Sequence, residues 1–293
     1  MTTCTEATRA DLIGQELDQQ RRKGVLGQIV IPPCPTLLVR LQKAMDAPVV
    51  DLAEVARIAA QDVAMSAVLL RAANTPHYSR GQPARSLGQA MDVLGLKRAA
   101  LVMTGFLTRQ ALPVSSPQLQ RFWQRASTTA QAMELLAEKL PGMSADLAYT
   151  WGLFSHVGQP VLLQSVRGYG GTMLEAAARR DRSGIATENA NHRTDHAVVG
   201  ALVARVWKLA PAVMAAIRLH HDFDVLGDAS VEAEVQALVA AGLVAEHLMH
   251  RDEGVPDNRD WLQFGESALQ WLQVTTDDLV SWQDELAARL DRD

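Results

Sequence analysis

The sequence predicts an all-α protein, on three observations. Helix-start signals recur from one end to the other, each followed by apolar residues at the three-to-four spacing of a helix. The chain is 48% hydrophobic yet only 5% aromatic, and Ala, Leu and Val dominate it. That mix suits closely packed helices better than sheets. No segment shows the sustained alternation of a half-buried strand, and there is no internal repeat or low-complexity tract.

Each predicted element has its own warrant. In "DLAEVARIAAQDVAMSAVLLRAAN", Asp51 and Glu54 form a capping-box pattern. Leu52, Val55, Ile58, Ala59 and Val63 then share one face, and a second run ends near Asn74 with Pro76 as a stop. Ser86 and Gln89 repeat the capping logic for a short helix with Leu87, Ala90, Met91 and Leu94 on its apolar side, and Gly95 ends it. "KRAALVMTGFLTRQAL" is the next helix, more apolar and more buried. The Pro- and Ser-rich "LPVSSP", residues 112–117, reads as a linker. It predicts a helical N-terminal lobe over 1–115 and a second helical domain with a C-terminal extension over 116–293.

In the second part, Ser116 and Pro117 open a helix whose stripe is Leu119, Phe122, Trp123, Ala126, Ala130, Met133 and Leu140. Ser144 caps a long apolar helix running through His156, and glycines 168, 170 and 171 break the pattern after it. A shorter helix leads into the charged loop "RRDRSG". Thr194 or Asp195 caps a helix with Val199, Leu202, Val203 and Val206 inward, and Pro211 opens the next. The helix after Ser230 carries acids in its first turn and histidines in its last, as its dipole favours. "GVPDN" breaks it, and a C-terminal amphipathic helix carries Leu279, Trp282, Leu286 and Leu290. Trp261, Trp271 and Trp282 cluster late and suit a helical cap or an interface.

Charge and targeting signals exclude several classes. A net charge of −5 on 293 residues gives no footprint for nucleic acid and no polybasic membrane anchor. No run approaches the ~20 apolar residues of a membrane span. The N-terminus lacks a signal-peptide pattern, and Cys4 and Cys34 read as ordinary thiols of a reducing compartment. A cytoplasmic protein is expected. "GYGG" at 168–171 lacks the lysine and strand of a phosphate loop, and the basic runs at 21–23 and 179–182 read as solvated surface.

Four of the eight histidines lie on predicted helices among apolar neighbours: His156, His196, His220 and His221. Helical bundles build metal sites from such inward side chains, so the scatter could converge. The alternative is a set of histidines satisfied by ordinary hydrogen bonds. Spacing alone favours the second reading, because hydrolytic metal centres also need carboxylates.

Six segments in order resemble the HDOD family, a branch of the HD superfamily of metal-dependent phosphohydrolases. They are "IPPCPTLLVRLQKAM", "DLAEVARIAAQDVAMSAVLLRAANTPHYSRG", "SLGQAMDVLGLKRAALVM", "FWQRASTTAQA", "GLFSHVGQPVLL" and "TDHAVVGALVARVWKLAPAVMAAIRLHHD", spanning roughly residues 25 to 225. The resemblance implies an HD-type helical core behind a helical lobe, in bacterial cytoplasmic signal-transduction proteins that often carry damaged metal sites. His156 then matches the His of the HD doublet and Val157 stands at its Asp; His196, His220 and His221 match downstream histidines. The early His falls near Ala126–Ser127, and the late Asp near Gly242, within Val235 to Ala245, which holds no acid.

These departures predict no catalytic residues and no hydrolase centre, with His156, His196, His220 and His221 as a vestigial metal site. Imidazoles alone would leave an ion's charge uncompensated in an apolar bundle. No cofactor is expected, a single zinc on His196, His220 and His221 being the alternative. Asp222, Asp224 and Glu188 read as solvated acids rather than ligands, Glu188 as a loop residue. The expected function is non-catalytic signalling through a protein partner or a small ligand such as a nucleotide, with no nucleic acid or membrane partner. The alternative is a phosphohydrolase acting on a nucleotide or cyclic dinucleotide.

Overall fold

A computed structural model describes residues 7–23, 25–75, 78, 83–113, 116–119, 121–179 and 181–290. Cys4, Pro76, Val114, Ser115 and Arg180 lie outside them. The described residues form helices joined by turns, with no strand among them. In order these are α1 (Arg9–Lys23), α2 (Thr36–Met45), α3 (Leu52–Ala59), α4 (Val63–Ala73), α5 (Leu87–Ala111), α6 (Phe122–Lys139), α7 (Ala145–Phe154), α8 (Gly158–Ser165), α9 (Tyr169–Ala178), α10 (Gly184–His192), α11 (His196–Val206), α12 (Pro211–Leu219), α13 (Ala233–Asp252), α14 (Arg259–Leu272) and α15 (Thr276–Leu290). Among the described residues, no helix is long and apolar enough to cross a membrane.

The chain divides into two compact units, one of residues 32–113 and 284–293, the other of 1–31 and 114–283. Residues 7–23 and 25–31 group with the larger unit. Helix α1 packs on α11 and α12, buries Ile13 and Leu17, and is tied by Asp18 to the Arg205 guanidinium, whose Nε donates at 2.8 Å.

In the smaller unit, α2, α3 and α4 pack on α5, burying Leu41, Val55, Ile58, Met65, Leu69 and Met103. The two runs predicted over 51–74 are two helices, parted at residues 60–62. Asp62 accepts from Ala64 N and Met65 N at 2.8 and 3.0 Å, restarting the chain as α4. That break turns Val63 out to solvent, 86% exposed, rather than onto the face shared by Val55 and Ile58. Gly95 adopts φ 71° and kinks α5 where the sequence predicts a stop. Asn74 clamps a loop: its Nδ2 donates to Ala84 O at 2.9 Å and its Oδ1 accepts from Ala84 N at 2.7 Å. Asn74→Ala removes both bonds and leaves partly buried backbone groups without them. We expect a loss of about 2 kcal/mol, read by urea denaturation.

In the larger unit α6 packs along α7 and α13, α11 on α8 and α12, and α14 on α13. Residues 117–119 form a 3₁₀ turn, so α6 starts at Phe122 rather than directly after Pro117. The helix predicted through His156 breaks between Phe154 and Gly158. Pro160 explains the break: a continuous helix would drive its ring into the His156 carbonyl. That carbonyl instead accepts from Gln159 N at 2.9 Å. Glycines 170 and 171 lie inside α9, which left-handed Gly168 introduces. Helices α1, α10 and α14 are not among the elements the sequence predicts, although Asn258 Oδ1 caps α14 through Trp261 N at 2.8 Å.

Candidate metal site

The four histidines converge. Each offers a ring nitrogen, and the four nitrogens lie within 4.8 Å of one another. The break after α7 places His156, the first residue of α11 is His196, and the end of α12 carries His220 and His221. Asp195 fixes the start of α11 by accepting from Val198 N at 2.9 Å, so the cap sets where the His196 ring points.

Hydrogen bonds fix three of the rings in one tautomer. His220 Nδ1 donates to the Ile217 carbonyl at 2.7 Å, His221 Nδ1 to Asp260 Oδ2 at 2.8 Å, and His196 Nδ1 to Glu188 Oε2 at 2.9 Å. A carbonyl or a carboxylate can only accept, so each Nδ1 carries its proton and, in the neutral ring, each Nε2 presents a lone pair. His220 Nε2 is buried and has no hydrogen-bond partner among the described residues. The Nε2 atoms of His196 and His221 face each other at 3.3 Å. Two lone pairs at that distance repel unless a proton or a cation sits between them. Ligands about 2.0–2.1 Å from a tetrahedral zinc stand about 3.3–3.4 Å apart, so the spacing fits. His156 differs: its Nδ1 meets Ser155 Oγ at 3.1 Å, and its Nε2 lies 3.5 Å from Glu246 Oε1.

Burial favours the neutral ring at two of the four histidines, and acids back the other two. Burial, then the neighbouring imidazoles, hold His156 and His220 well below the usual histidine range. Burial acts the same way on His221, but the Asp260 hydrogen bond and the charges of Glu246, Asp260 and Glu188 outweigh it and raise that ring. Glu188 is 4% exposed on α10, not a solvated loop acid. It takes His196 N at 2.7 Å and the Tyr169 hydroxyl at 3.0 Å. Burial opposes its ionisation, yet His196 and these donors bring it below the usual carboxylate range. Burial and the same carboxylate push the Tyr169 phenol up, so it keeps its proton and donates.

The expected shortage of acid is therefore corrected. Glu188 and Asp260 each hold a ring N–H, the outer-sphere arrangement that orients metal-binding histidines and raises their basicity. No acid stands at Gly242, because Trp151 fills that space: a Cβ on Gly242 would lie 2.1 Å from the indole Cη2. Glu246, one turn further along α13, reaches the cluster instead. Asp222 and Asp224 are exposed and take no part. Val157 is fully buried, so the second half of the doublet supplies packing and no ligand. Cys34 is half-buried and its thiol is pushed up to about 11 by burial, as an unreactive thiol should be.

The residues present fit one metal ion. His196, His220 and His221 would hold it, with His156 at its side; bound there, it would supply a Lewis-acidic centre. All-imidazole donors suit zinc, copper, iron or nickel. His156, His196 and His221 line a cavity of about 510 Å³. Phe122, Met173, Ile185 and Met249 give it apolar walls, and Arg121 and Arg125 bring positive charge to it. Arg125 also pairs with Glu253 at 2.5 Å.

Comparisons with known proteins agree with this architecture. The HDOD domain family matches residues 31–223. A curated Treponema pallidum protein, described only as uncharacterized, is 25% identical over 194 residues. The match covers 66% of this chain but only 38% of the relative's length. A crystal structure of a proposed phosphohydrolase from Shewanella amazonensis SB2B superposes with a TM-score of 0.70 at 19% identity, covering 94% of this chain and 93% of that one. A proposed signal transduction protein from Marinobacter aquaeolei VT8 gives a TM-score of 0.74 at 16% identity, covering 98% of this chain and 65% of that one. At these identities the structures establish the shared helical fold. With two thirds of its length matched, this chain belongs to the HDOD domain family.

Proposed function

We propose that this chain is a signalling protein that works by binding, with one divalent transition-metal ion on its histidine cluster and a small anionic ligand in the cavity beside it. The observation that carries this reading is the buried, partnerless His220 Nε2 among rings whose Nδ1 protons are already committed. A buried acceptor without a partner is costly, and a cation offsets that cost. Binding rather than turnover is favoured because Val157 stands where a bridging carboxylate would be needed for a pair of ions. Arg121 and Arg125 offer positive charge to an anion, Glu188, Glu246 and Asp260 of the same lining being turned to the histidines, and the apolar walls suit an attached planar body, as in a nucleotide.

One observation favours a second reading, metal-dependent phosphohydrolysis. Glu246 lines the cavity beside His156 and could take a proton from an attacking water. Calorimetry of zinc-loaded protein against nucleotides, cyclic dinucleotides and inorganic phosphate, with product analysis of the same mixtures, separates the two. We expect saturable binding of at least one anion and no product. Multiple turnovers would overturn the binding reading, and so would the absence of heat from every anion.

A further inference from the structure

The family match ends at residue 223, yet two of the three acids around the cluster come from beyond it. Glu246 lies on α13 and Asp260 in the first turn of α14. Asn258 joins them: its Nδ2 donates to Glu246 Oε2 at 3.2 Å while its Oδ1 caps α14. The same turn is fastened on its other side. The His247 ring lies flat on Trp261, with centroids 3.8 Å apart and planes 8° from parallel, and pairs with Asp257 at 2.6 Å. Further along α14, Gly265 and Ala268 are buried, and the helix packs on α13. Helix α14 thus rests on α13 by packing, while its first turn reaches His221 through one charged hydrogen bond.

We propose that Asp260 is a positioning residue that couples occupancy of the histidine cluster to the docking of the first turn of α14. The inference rests on the single-ion reading above. A cation on Nε2 draws electron density from the His221 ring. Its Nδ1–H then becomes the stronger donor, and the bond to Asp260 tightens. The coupling is reciprocal: an α14 that holds Asp260 in place raises the affinity of the cluster, and one that lets go lowers it by the same factor. The segment beyond the matched region is in this way a reporter of the state of the cluster.

Amide hydrogen exchange at residues 257–263, with and without one equivalent of zinc, tests this alongside zinc affinity measured by chelator competition. In the full-length protein, zinc slows exchange there by about tenfold, within the usual range of coupling between two sites. Asp260→Ala abolishes that zinc-dependent protection and weakens zinc by roughly 10–100-fold. Asp260→Asn keeps an oxygen acceptor without the charge and falls between the two, which a purely structural role would not produce. It also serves where the alanine variant folds poorly. Glu266→Ala, on the exposed face of α14, leaves both quantities unchanged. Should zinc bind the wild type without altering exchange at 257–263, or bind Asp260→Ala as tightly as the wild type, the coupling is overturned and the metal reading stands. Should zinc fail to bind the wild type, the metal reading fails and takes the coupling with it.

Discussion

Gly158→Ala is expected to cost about 3 kcal/mol or more and to abolish metal binding with it. A Cβ at Gly158 would stand 2.1 Å from His196 O and 2.8 Å from both His196 C and Gly200 N. These are backbone atoms at the start of α11, so no rotamer change relieves the overlap. The start of α11 must move, carrying the His196 ring off Glu188 and away from its partners. Gly200→Ala provides the contrast. Its Cβ would meet the Ile217 Cγ2 methyl at 3.1 Å, a side-chain atom that can shift, so about 1–2 kcal/mol is expected. Urea denaturation of both variants measures the difference. Equal and small losses would show that α8 and α11 are not in backbone contact.

Zinc is expected to stabilise the larger unit strongly. At a free concentration 100 times its dissociation constant, a ligand that binds only the folded form adds about 2.7 kcal/mol. For a unit of this size that raises Tm by roughly 5–11 °C, and a chelator reverses it. His220→Leu gives a sharper signature. In the metal-free protein it removes a buried acceptor without a partner but also the bond to the Ile217 carbonyl. The two changes oppose each other, and metal-free stability should stay within about 1 kcal/mol of wild type. The zinc-dependent rise should vanish. A His220→Leu variant that keeps the full rise would place the ion elsewhere.

The helical fold was legible because caps and apolar periodicity are local signals. Asp51, Ser86, Ser144 and Asp195 all accept from backbone N–H groups of their helices. The four histidines were legible as candidates, but their convergence was not, since it depends on how α7, α11 and α12 pack. The acids were harder still. The acid-free stretch ends at Ala245, one residue short of Glu246, and the family pattern points to Gly242, where Trp151 occupies the space. Glu188 looked solvated because its burial comes from Tyr169 on α9 and His196 on α11. Asp260 lies 39 residues beyond its histidine partner, on a helix the pattern did not reveal. Two local signals carry the missing information: Pro160, which breaks the helix at His156, and Asn258, which opens α14.

Metal content, determined by elemental analysis of full-length protein purified without chelator and then titrated with zinc, tests the central claim most directly. The account predicts saturation at one divalent ion per chain, reduced below detection in the His220→Leu variant. Two ions per chain, or none at any zinc concentration the folded protein tolerates, would contradict it.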